Sequence, residues 1–151
     1  MRRGGDAMKQ NWFLILGGVA SASAALAHLA VIVGGPAWYR FFGAGERMAR
    51  AAERGLWTAP AMTCAIASVL FVWAAYAFSG AGLIPRLRLL RLGLVTISTI
   101  YLVRALWIVP GVPLLGRTPG FVLWSSLIVL GIGLLYAIGT WRAWSTLEMP
   151  R

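Results

Sequence analysis

The sequence predicts an all-α membrane protein: a bundle of four transmembrane helices, with a short amphipathic interfacial helix between the first and second spans. Three observations carry that expectation. Of 151 residues, 60% are apolar and only 12% are charged. The mean hydropathy is +0.77, too high for an ordinary soluble domain. Four apolar runs each approach the roughly 20 residues of helix needed to cross a hydrocarbon core.

The runs extend over residues 12–33, 59–78, 89–109 and 121–140. Lipid offers no partner for an open backbone, so runs of this length are expected as helices and not strands. The second opens with Pro60, which suits a first helical turn, and the third stops at Pro110. Loops are expected from Gly34 to Thr58, Ser79 to Arg88 and Gly111 to Gly120. No long polar segment stands outside the runs, so residues 1–151 form a single integral membrane domain.

The net charge is +10. Its arginines are scattered between apolar runs and form no tract, which argues against nucleic acid and for membrane lipids as partners. On one side of the expected topology lie Arg2, Arg3, Lys9, Arg86, Arg88, Arg91, Arg142 and Arg151; on the other lie Arg40, Arg47, Arg50, Arg54 and Arg117. That bias predicts an inner (plasma) membrane protein of a bacterium with both termini cytoplasmic. Arg2, Arg3 and Lys9, followed by an apolar stretch and Ala25-Leu26-Ala27, also have the parts of a cleavable secretory signal. Continuation of the run through Val33 favours an uncleaved first span; cleavage would leave three. Cys64 is the single cysteine, so no disulfide forms within the chain.

At helical spacing, Gly17, Ser21, Ala24, His28 and Gly35 share a stripe of the first span, and small residues there favour close helix approach. Cys64, Ser68, Ala75 and Ser79 share a face of the second span. Gly93, Ile97, Ile100 and Arg104 do so on the third, flanked by Thr96 and Tyr101. Ser126, Gly133 and Thr140 line the fourth, near Tyr136. These faces are expected to point inward.

Arg104 is costly in an apolar run unless an acceptor answers it, and the spans contain no Asp or Glu. At about 1.5 Å rise per residue, His28, Cys64, Arg104, Ser125 and Ser126 fall roughly 6 to 12 Å below the same external surface. With Tyr101, and with Glu46 in the loop above, Arg104, His28, Ser125 and Ser126 make a candidate ligand-binding layer. Structural anchoring of arginine to head groups is the competing reading. The external loop adds Trp38, Tyr39, Phe41 and Phe42 as an expected interfacial belt. Glu46 precedes Arg50 by four residues, which supports a short helix. No carboxylate pair, metal-ligand cluster or phosphate-cradling loop occurs, and no cofactor is assigned.

The functional expectation is therefore a non-enzymatic protein that binds or passes a small amphipathic or anionic molecule or lipid through the outer polar layer. It would act as an accessory subunit, a homo-oligomer or the partner of another membrane subunit. Arg47, Arg50-Ala51 and Pro60 also resemble the loop and second helix of the small four-span enzymes of eicosanoid and glutathione metabolism. That resemblance implies a trimeric glutathione-dependent transferase acting on lipophilic substrates, with Arg47 and Arg50 holding the thiol cofactor. The chain departs from the family at Arg54 and Trp57, where an Asn and a Glu are expected.

Overall fold

The computed structural model describes residues 10–106 and 119–147, the side chains of residues 119–122 apart. The expected third-span end at Val109 and Pro110, Arg117, and the terminal basic residues Arg2, Arg3, Lys9 and Arg151 lie outside the described residues. The helices are α1 (Trp12–Phe41), α2 (Glu46–Glu53), α3 (Thr58–Gly80), α4 (Leu90–Ala105), α5 (Pro119–Arg142) and α6 (Trp144–Leu147). Helices α1, α3 and α5 are long and apolar enough to cross a membrane. Helix α4 is described over 16 residues.

The four long helices alternate in direction, α1 against α3 and α4 against α5. Gln10 to Phe13, the turn from Ser79 to Arg86, and Arg142 to Leu147 meet at one end. The opposite end carries α2. Asn11 starts α1 by accepting from Leu14 N at 3.3 Å, while its Nδ2 donates to Gly139 O at 2.7 Å. One residue thus caps its own helix and ties it to α5.

Small residues lie inside and large aliphatic residues outside. Gly17, Gly18, Ser21 and Ala25 of α1, and Ala59, Ala67, Ala74 and Ala77 of α3, are buried. Leu16, Val19, Leu26, Val33, Met62, Ile66, Val69 and Val72 of the same helices are exposed. This is the packing expected where lipid replaces water and helices gain most from close backbone approach. A Cβ on Gly139 would lie 2.7 Å from Leu14 Cγ, and one on Gly17 would lie 3.0 Å from the Tyr136 ring.

Several expected faces are corrected. Cys64 and Ser68 are exposed and Ala75 is half-buried, while Ser79 is buried as expected; the rest of the interior face of α3 is Ala59, Thr63, Ala67, Leu70, Ala74 and Ala77. Ser68 satisfies its hydroxyl on Cys64 O at 2.9 Å, so it faces outward without an unmet hydrogen bond. On α4 the buried face is Leu90, Leu94, Ile97, Ser98, Tyr101 and Ala105, while Ile100 and Thr96 are exposed. The α5 stripe of Ser126, Gly133 and Thr140 is buried as expected, and Tyr136 is fully buried beside it.

The loop expected from Gly34 is largely helical. Gly35 adopts φ 67, ψ −156, a region open essentially to glycine, and Pro36 restarts the helix up to Phe41. Tyr39 does not join an exposed belt: it is 2% exposed and packs with Val31, Ala49 and Ala59. Thr63 Oγ1 donates to Ala59 O, which leaves the Tyr39 hydroxyl to donate to Thr63 Oγ1 at 3.1 Å. Trp38, Phe41 and Phe42 remain exposed. Helix α2 turns Ala49 inward and its charged residues outward.

Candidate functional site

The bundle centre is closed by a hydroxyl chain that draws on all four long helices. Tyr136 Oη donates to Trp73 O at 2.9 Å. Each hydroxyl has one hydrogen, so at 3.0 Å Ser21 Oγ must donate to Tyr136 Oη, and at 2.9 Å Tyr101 Oη must donate to Ser21 Oγ. Tyr101 also meets the Trp73 ring edge to face, with centroids 4.9 Å apart. Ser21 lies nine residues into α1, about 14 Å along its axis. Interhelical bonds of this kind contribute about 0.6 kcal/mol each in a membrane. Their larger effect is to set the relative heights of the four helices.

The expected outer-layer residues occupy several different settings. Tyr101 belongs to this central chain. His28 is half-buried, and its Nδ1–H donates to Ala24 O of its own helix at 2.8 Å. Glu46 is at the surface: its carboxylate accepts from Arg40 Nε and Nη2, both at 3.0 Å, and from Arg50 Nε at 3.1 Å. Arg40 Nη2 also reaches Glu53 at 2.7 Å. The donors Arg40 and Arg50 hold the Glu46 carboxyl at about 2, below the usual carboxylate range. Arg104 and Ser125 are half-buried near the α2 end of their helices. Ser126 is fully buried, and its Oγ has no hydrogen-bond partner among the described residues.

A cleft opens at the other end of the bundle. A cleft of about 1040 Å³ is bounded by the start of α1, the turn after α3 and the segment from Arg142 to Leu147. Ser79 shapes its wall, donating to Pro85 O at 3.0 Å and accepting from Leu87 N at 2.9 Å. Arg86 Nη2 donates to Leu147 O. Arg142 stands 4.8 Å from the centre of the Phe13 ring. The rim therefore pairs two guanidinium groups with aromatic and aliphatic walls. Both carboxylates among the described residues, Glu46 and Glu53, are at the opposite end.

The central chain and this cleft were missing from the sequence-based site. Ser21 and Tyr136 were visible as inward positions, and Asn11 directly before an apolar run was a legible cap. Their cross-helix pairing carried no local signal. Arg47 and Arg50 both sit on α2, where Arg50 is paired with Glu46. No group of three or more His, Cys, Asp or Glu side chains that could hold a metal occurs among the described residues. Comparison of the chain with protein-family models, with curated proteins and with solved structures finds no match.

Proposed function

We propose that this chain is a non-enzymatic inner-membrane protein that binds a small anionic amphiphile in the cleft at its terminal end. The observation that carries the reading is that cleft itself, with Arg86 and Arg142 set among Phe13, Leu90 and Leu147. Its volume of about 1040 Å³ reaches the upper end of the size range of small-molecule sites. A mixed lining of cation and apolar wall suits a molecule with an anionic head and a hydrophobic body. Binding is favoured over passage because the Tyr101, Ser21 and Tyr136 hydroxyls bridge the bundle between its two ends.

The same reading takes α4 as the fourth span. Its 16 described residues extend about 24 Å, and Leu92, Val95 and Val103 turn large apolar groups outward. Both termini are assigned to the cytoplasm on the arginine bias, and α2 to the opposite membrane surface on its charged outer face. A second site is favoured by one observation: Ser126 Oγ is buried without a partner in the layer that also contains Arg104.

Native mass spectrometry of the protein released from its own membrane tests both sites. Arg142→Gln is expected to lower the co-purifying anionic amphiphile about fivefold, the scale of one arginine near a lipid surface. Loss on Arg104→Leu with retention on Arg142→Gln moves the site to the Ser126 layer. Wild-type stoichiometry in both folded variants removes the binding function.

A further inference from the structure

The α2 end of the bundle carries more arginine than its carboxylates can answer. Between residues 40 and 54, Arg40, Arg47, Arg50 and Arg54 stand against Glu46 and Glu53, a surplus of two positive charges. Glu46 is bound by Arg40 and Arg50, and Glu53 by Arg40. Arg47 and Arg54 are exposed, and neither makes an ion pair among the described residues. The other acidic side chains of the sequence are Asp6 and Glu148. Glu148 directly follows Leu147, at the terminal end. Asp6 stands six residues before Trp12, a reach of about 21 Å at full extension, whereas α1 climbs about 33 Å from Trp12 to Gly34. The segment 107–118 adds Arg117 and no carboxylate. The surplus on α2 therefore has no answering acid within the chain.

Arg47 and Arg54 are seven residues apart, so they share one side of α2 and stand about 10 Å from each other along its axis. The helix that carries them is braced. Ala49 is buried, with Met48, Ala51 and Ala52 packed against the same cluster, and Arg40 holds Glu46 and Glu53 at the two ends of the helix. Large rings flank α2 on both sides in sequence. Trp38 and Phe42 are exposed before it, Phe41 is 77% exposed, and Trp57 after it is 75% exposed. Phe42 lies 5.8 Å from Trp38 and 5.1 Å from Phe41 between ring centroids, so the three make one group. Exposed indole and phenyl rings of a membrane protein suit the level of the head groups.

We infer that Arg47 and Arg54 bind the phosphates of anionic phospholipids at the membrane surface that α2 faces, with Trp38, Phe41, Phe42 and Trp57 seated among the same head groups. The site depends on α2 lying at that surface, as proposed for it. Charge and rings together select the partner. Trp57 follows Arg54 by three residues, so a ring seated among head groups carries its arginine to the phosphates. An acidic soluble protein would satisfy the arginines only if α2 stood clear of the surface that Trp57 occupies. Guanidinium donors meet phosphate oxygens in pairs, and two arginines on a helix already held in place lose little freedom on binding.

The test follows hydrogen exchange of residues 46–54 in the full chain, in nanodiscs of phosphatidylglycerol and in nanodiscs of phosphatidylcholine. Exchange is expected to be about fivefold slower in phosphatidylglycerol, the scale of one arginine engaged at a lipid surface, and high salt removes most of the difference. Replacing both Arg47→Gln and Arg54→Gln abolishes the difference, and Arg47→Lys with Arg54→Lys keeps most of it. Arg142→Gln, in the terminal cleft, leaves it unchanged. A nitroxide on Cys64, six residues into α3, reads the depth of this end separately and is expected about 10 Å below the phosphates. Equal exchange in the two lipids overturns the lipid site. Cys64 at the expected depth then leaves the surface placement of α2 standing, whereas Cys64 at the bilayer centre removes that placement too. A difference that survives the double Gln variant overturns the assignment to Arg47 and Arg54. Slowing by a soluble acidic peptide and not by phosphatidylglycerol makes α2 a protein-docking face, which overturns the lipid partner.

Discussion

The two ends of the bundle solve the problem of arginine in opposite ways. At the α2 end, Arg40, Arg50, Glu46 and Glu53 form a closed set of ion pairs at 2.7 to 3.1 Å, and their formal charges cancel. At the terminal end, Arg86, Arg91 and Arg142 meet a backbone carbonyl, an indole face and a phenyl face. Carbonyls and rings orient a guanidinium through directed contact. The first arrangement is a clasp that holds a loop. The second sets guanidinium groups against the backbone and ring faces where the chain's helices converge.

Packing differs between the ends as sharply as charge does. The terminal end depends on backbone contact, because Gly139 approaches Leu14 so closely that a Cβ would lie 3.0 Å from Leu14 N. Gly139→Val should therefore cost about 3 kcal/mol by overpacking and should also displace the Asn11 bond to the Gly139 carbonyl. Unfolding titrated with a denaturing detergent measures it. Because Asn11, which donates to the Gly139 carbonyl, lines the cleft, ligand retention should fall with stability. A variant as stable as wild type would mean that α1 and α5 do not need this approach.

Gly35→Ala probes the other end with a smaller effect. No atom lies within 4 Å of an added Cβ there, so the penalty is purely conformational. Holding alanine at φ 67, ψ −156 costs about 2 kcal/mol. The loss should appear as faster hydrogen exchange across residues 36–53, where the Tyr39 to Thr63 bond and the ion pairs depend on the bend. Ligand retention at the terminal cleft should not change. Coupled loss at both ends would show that the bundle transmits strain along its length and that the two regions are not separate.

The contrast was only partly legible in the sequence, for identifiable reasons. Long apolar runs announce helices wherever lipid forbids an open backbone, so the cores of α1, α3 and α5 could be read directly. Facing was harder to read. The rule that polar residues turn inward holds for Ser126 and Thr140 but fails for Ser68, because a serine hydroxyl that bonds the carbonyl four residues back no longer requires a protein interior. The break in α1 at Gly35 had a local signal, because the residue directly before a proline is disfavoured in the helical region, but not the sign of its φ or that Pro36 would restart the helix. The chain from Tyr101 through Ser21 to Tyr136 joins residues 80 and 115 positions apart. Such pairings depend on how high each helix rides against its neighbours, which a depth count accurate to a turn does not resolve.

The clasp makes the smallest prediction, centred on Glu46, the carboxylate that both arginines share. Glu46 is held at about 2 by hydrogen bonds from Arg40 and Arg50, against 4.5 for an ordinary glutamate. A carboxyl whose folded value is depressed contributes stability that is complete above the unfolded value and is lost as pH falls through the folded one. The clasp should therefore be indifferent to pH between 7 and 5, begin to weaken below 4.5, and open as pH approaches 2. These groups are exposed, so the change should be local, with the helices of the bundle unaffected. Hydrogen exchange of residues 40–53, corrected for its intrinsic pH dependence, follows the opening. Glu46→Gln should flatten that profile while leaving a weaker Arg40 to Glu53 contact, and Arg91→Gln at the far end should not alter it. Opening centred near 4.5 would mean that the arginines do not hold the carboxylate. A profile unchanged by Glu46→Gln would mean that Glu46 is not the group whose protonation opens the clasp.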